Sequence, residues 1–131
     1  MPPIKPVEIT SRTLETNDFV VYQGSQPGYY NVDVWFGGRP VGEEGVLWLR
    51  ATDRTMGERI SVDRVEGATR RSVRGDGGGF VYYPGADDTI RIEAGTWGDP
   101  YPVVFDLVYQ PNGNSPDVVL SKTYLIEGWT R

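Results

Sequence analysis

Apolar and polar residues alternate with a period of two along much of this chain, and glycine or proline breaks the pattern at short intervals. In Tyr29-Tyr30-Asn31-Val32-Asp33-Val34-Trp35-Phe36, one face carries Tyr30, Val32, Val34 and Phe36. The other carries Tyr29, Asn31, Asp33 and Trp35. A period of two is the geometry of a strand with one buried face. The same pattern puts Val103, Phe105, Leu107 and Tyr109 on one face, and Leu120, Lys122, Tyr124 and Ile126 on one face. From Val118 to Glu127 the second face is nearly as apolar as the first, which predicts a central strand. Val46-Leu47-Trp48-Leu49 is apolar on both faces and reads as buried. The spacing predicts strands at about 4–10, 12–15, 18–23, 29–36, 45–52, 59–62, 68–74, 79–84, 88–94, 101–110 and 118–127.

With 17 Gly and 10 Pro, the chain is cut into short pieces, as a sandwich or barrel requires. Helix signals are thin. The best candidate is Ser61 to Glu66, with Ser61 as N-cap and Gly67 just past the end. Gly75-Asp76-Gly77-Gly78-Gly79 precedes a strand, has no lysine nearby and reads as a hairpin loop, unlike a phosphate cradle. Pro111-Asn112-Gly113-Asn114 is turn chemistry joining the last two long strands. At 131 residues, the size scaling gives about 6,900 Å² of folded surface, enough for one core and too little for two. The expected fold is all-β: a single antiparallel β-sandwich over 1–131, with 1–6 a Pro-rich lead-in. A small closed β-barrel is the alternative. In class the chain resembles immunoglobulin-like, jelly-roll-like or carbohydrate-binding sandwich domains, without a family motif.

The chain has no cysteine and no histidine. That excludes disulfides, thiolate chemistry, a Ser-His-Asp triad and histidine metal sites. No spacing selects a pair of acids for glycosidase chemistry. A non-enzyme without a cofactor is expected. The net charge of −5 argues against a nucleic-acid partner. No apolar run is long enough to span a membrane, and nothing assigns a compartment.

What remains is binding. Trp97 and Tyr101 flank Gly98-Asp99-Pro100, where Pro100 restricts Asp99 and stiffens the link. Aromatic rings on rigid loops serve as protein hot spots or stack on sugars. The candidate ligand-binding residues are therefore Trp97, Asp99, Tyr101 and Tyr83. A protein partner is the first expectation, and a glycan, with or without calcium, the second. Calcium would need Asp87, Asp88 and Asp99 to meet at one end of the sandwich. Ile92-Glu93-Ala94-Gly95-Thr96-Trp97 and Ile126-Glu127-Gly128-Trp129 echo each other, which reads as shared turn chemistry.

Overall fold

A computed structural model of the chain describes residues 6–12, 17–37, 39–75, 77, 80–84 and 87–130. Strands β1 (Val7–Arg12), β2 (Asn17–Gln23), β3 (Tyr29–Gly37) and β4 (Glu44–Asp53) come first. A short helix, α1 (Asp63–Gly67), follows. Then come β5 (Arg71–Arg74), β6 (Phe80–Pro84), β7 (Ile90–Arg91), β8 (Tyr101–Pro111) and β9 (Asp117–Ile126). One sheet has the order β1-β9-β8-β4-β5, the other β2-β3-β6, with β7 pairing the start of β3. Every pairing of these strands is antiparallel. The chain is an all-β sandwich, and among the described residues no closed barrel forms. The first strand pairs with the last, so the order differs from the ABED and CFG sheets of an immunoglobulin domain.

The alternation lands where it was expected. Tyr30, Val32 and Phe36 of one sheet face Leu47, Leu49, Phe105, Leu107 and Tyr109 of the other, all nearly free of solvent. The Phe36 and Tyr109 rings meet across the gap with centroids 4.9 Å apart. The accessible surface, 7024 Å², matches the size expected for one compact core. β9 lies between β1 and β8, as its two apolar faces require. Trp48 is 8% exposed although it lies on the outer face opposite Val108. The Arg70 guanidinium covers its ring at 4.8 Å. Trp35, on the strand face opposite Tyr30 and Val32, is half-buried on the outer face of the second sheet. Asp106, on the outer face of β8, is shielded from solvent: Arg50 pairs with it at 2.9 Å and Ser121 donates to it.

The strand expected at 59–62 does not form; Arg59 makes a lone bridge to Thr52 and the chain then turns into α1. Ser61, at φ 49, cannot continue a strand. Its hydroxyl does not cap the helix. It accepts the Glu93 N–H at 2.7 Å, while its carbonyl accepts the Val65 N–H at 2.8 Å. α1 is wound with the wider π repeat and buries Val65 completely. Thr69 ties it to β4, accepting the Leu49 N–H at 2.8 Å and donating to the Val65 carbonyl at 2.7 Å. α1 thus covers the half of β4 that the four-residue β5 does not reach. The strand expected at 12–15 falls mostly outside the described residues, as do most of the lead-in and Asp76, Gly78 and Gly79.

Lys122 faces inward from β9 and closes the opposite flank. Its ammonium lies 2.9 Å from Asp18 of β2 and 3.5 Å from Glu8 of β1. Burial pulls its pKa down, but the hydrogen bond to Asp18 and the surrounding charges raise it overall. Two β2 edge N–H groups are also taken: Phe19 donates to Asp18 at 2.8 Å and Val21 to the Tyr124 hydroxyl at 3.4 Å. That blunts β2 as a template for another strand.

Candidate functional site

At one end of the sandwich the segment 92–100 and the tail 127–130 are laced together by backbone. Ile92 donates to Gly28 at 2.8 Å, Trp129 to Ile92 at 2.9 Å and Trp97 to Thr130 at 2.8 Å. Thr96 and Thr130 form a parallel bridge. Two glycines permit the closeness. A Cβ on Gly28, at φ +87, would sit 2.2 Å from the Trp129 Cα, and one on Gly128 would sit 2.2 Å from the Gly95 carbonyl oxygen. Glu127, 1% exposed, accepts the Gly98 N–H at 3.0 Å through its carboxylate, and its own N–H donates to the Tyr30 hydroxyl at 3.0 Å. The two echoing sequence segments are therefore neighbours in space. Each leaves a strand, turns at glycine and presents an indole.

Those indoles, Trp97 and Trp129, line a groove of about 270 Å³ with Gln26 and Thr130. Trp97 is half-buried, and Trp129 is 40% exposed. The Arg91 guanidinium stacks 4.6 Å from the Trp129 ring centroid. Asp99 is exposed on the loop between Trp97 and β8, its N–H donating to Thr96 at 3.3 Å.

Tyr101 opens β8, is half-buried and packs against the core. Its hydroxyl donates to the Ala94 carbonyl at 2.5 Å. Burial, then the Asp53 charge and Tyr30, push the phenol pKa well above its ordinary value. Tyr101→Phe should cost about 1 kcal/mol of stability, the worth of one such hydrogen bond, and a urea melt beside the parent measures it. Tyr83 lies on β6 opposite Val34, and its side chain is outside the described residues.

The three acids that a calcium site would need do not meet. Among the described residues no three acidic groups are close enough to hold a metal. Asp88, at φ 53, turns to Ser25 instead, accepting its N–H at 2.7 Å and its hydroxyl at 2.6 Å. Trp129, Gln26, Arg91 and Glu127 were not among the candidate binding residues. The echo around the two tryptophans was the available signal, and it needed a spatial reading.

No family model, curated protein or solved structure matches the chain. Among the described residues no helix is long and apolar enough to cross a membrane.

Proposed function

We propose that this chain is a non-catalytic binding domain that docks a short segment of a protein partner between Trp97 and Trp129. The observation that carries the reading is the groove itself. Two indoles from segments distant in sequence line one depression, and backbone hydrogen bonds hold the segments that carry them. Such a surface loses little conformational entropy on binding, and tryptophan is the residue most enriched at interface hot spots. At about 270 Å³ the groove falls below the usual range for whole small ligands, about 300–1,000 Å³, and suits one or two partner side chains. A glycan platform drew on Tyr101 beside Trp97, yet the Tyr101 hydroxyl is occupied by Ala94 and its ring packs on the core. The absence of histidine and cysteine supports a role without catalysis.

A phage-displayed peptide library and a glycan array, each probed with the parent and with Trp129→Ala, test the reading. Peptides should be selected by the parent and lost at least tenfold in Trp129→Ala. Trp129 is partly exposed, so that variant should keep its melting midpoint. Trp97→Ala should lose the same peptides at a cost of about 1–2 kcal/mol of stability, less than the 3–5 kcal/mol expected of a core tryptophan. Peptide binding indifferent to both substitutions overturns the proposal. A glycan signal lost in Trp129→Ala would put a sugar in the groove instead.

A further inference from the structure

We infer that a second groove, adjoining the first through the stacked Arg91–Trp129 pair, takes a carboxylate from the partner segment, held by Arg91 and Arg64. This rests on the reading above in one respect: one segment is asked to reach both grooves. The second groove, about 340 Å³, runs between α1 and β7; Tyr29, Arg64, Thr89 and Arg91 line it, with Asp63 and Asp88.

Arg91 is the reason to look there. Its side chain is only 21% exposed, so its charge has lost most of its water. Such a cation is costly unless it is well paired. Its contacts are poor. One terminal nitrogen donates to the Tyr29 hydroxyl at 3.5 Å, the other lies 3.8 Å from Glu93, and Nε is buried with no acceptor among the described residues. Arg64 adds an exposed second guanidinium from α1 to the same groove. Tyr29 and Thr89 add hydroxyl groups.

The two acids define the anion's character. Asp88 is already engaged by Ser25, which leaves Asp63 in the groove lining and Glu93, 3.8 Å from Arg91, as the negative neighbours of the site. Against that background, and a chain charge of −5, a dianion or polyanion is disfavoured. A single planar carboxylate matches the guanidinium fork and carries one charge. The docking segment would then carry an Asp or Glu next to the side chain that meets Trp129.

Sodium acetate is the probe, titrated at constant ionic strength into the labelled protein and followed by proton–nitrogen NMR. The Arg91 Nε–H and Trp129 indole N–H signals should move saturably, with a Kd on the order of 10 mM for so small a ligand. Arg64→Ala should weaken this at least threefold, and Arg91→Lys, which keeps the charge but not the fork, should remove it. If Arg91 signals move no more than those of exposed Arg54 and Arg74, or move equally with chloride, the inference fails. Tighter binding of sulfate than of acetate would also overturn it. The two proposals separate cleanly. Peptides selected without an acidic residue, together with a silent acetate titration, remove the carboxylate site and leave the Trp97–Trp129 reading. Saturable acetate binding with no selected peptide does the reverse.

Discussion

Gly128→Ala is expected to lower stability by about 3 kcal/mol, while Gly67→Ala leaves it unchanged or raises it by about 0.5 kcal/mol. The two substitutions add the same methyl group in opposite surroundings. At Gly128 the new carbon would meet the Gly95 carbonyl oxygen at 2.2 Å and the Ala94 carbonyl oxygen at 2.4 Å. Both are backbone atoms of the neighbouring segment and cannot swing away as a side chain would. The tail must lift, and with it go the Trp129–Ile92 and Trp97–Thr130 hydrogen bonds and the Gly98–Glu127 contact. Those three contacts, at about 1 kcal/mol each, give about 3 kcal/mol, the upper end of the about 1–3 kcal/mol that overpacking costs. At Gly67, in α1, nothing lies within 4 Å of the new carbon, and alanine restricts the unfolded chain more than glycine does. Urea melts of both variants decide the matter. A cost at Gly128 below about 1 kcal/mol would mean the tail is not clamped, and the Trp97–Trp129 groove would lose its rigidity.

How far the sequence could be read follows from how local each signal is. β3, β8 and β9 carry long alternating runs, and their inward faces came out as expected because a period of two leaves no other way to bury them. Trp35 shows the limit: alternation put it opposite the core face, and only the structure shows that the outer side of that sheet shelters it halfway. At 59–62 the β-branched residues Ile60 and Val62 mimic a strand. Ser61 in the left-handed region and the burial of Val65 from α1 override that propensity. Trp97 was legible as a candidate because Pro100 stiffens its own loop. Trp129, Gln26 and Arg91 were not, since they reach the site from other loops and strands, and one chain does not reveal which loops share an end. The Lys122 clasp was hidden for the same reason: within β9, a lysine at an inward position looks like an error until Asp18 and Glu8 arrive from two other strands.

Stability should stay flat between about pH 6 and 8 and then collapse between about pH 10 and 12, because histidine is absent and buried tyrosines are not. Tyr30 is fully buried, and burial pushes its pKa to about 12 against the lowering effect of the Glu127 N–H bond, with the Glu127 charge adding a smaller rise. Tyr109, 2% exposed, is likewise pushed to about 12, first by burial and then by its hydrogen bond to Glu43. Tyr101 and Tyr124 are raised too, with burial the leading cause in each. A phenol whose folded pKa lies above its unfolded value keeps its proton longer in the folded chain. Its contribution is therefore complete below the unfolded value, about pH 10, and is lost as pH climbs toward the folded one. A rise from about 10 to about 12 corresponds to roughly 3 kcal/mol per phenol, so Tyr30 and Tyr109 together remove on the order of 5 kcal/mol by pH 12. Typical domains have only about 5–15 kcal/mol in total. Urea midpoints measured across this range, with tyrosinate absorbance recorded in parallel, should show the late phenols ionising together with unfolding. Tyr30→Phe gives up its hydroxyl's bond to the Glu127 N–H and should be weaker at neutral pH by about 1 kcal/mol. At high pH it should lose less than the parent, since one of the phenols that forces the transition is gone. A midpoint that holds steady to pH 12 would show that these rings ionise without leaving the core. A fall already between pH 6 and 8 would point to a buried acid holding its proton at neutrality, and perturbed acids of that kind cluster at functional sites.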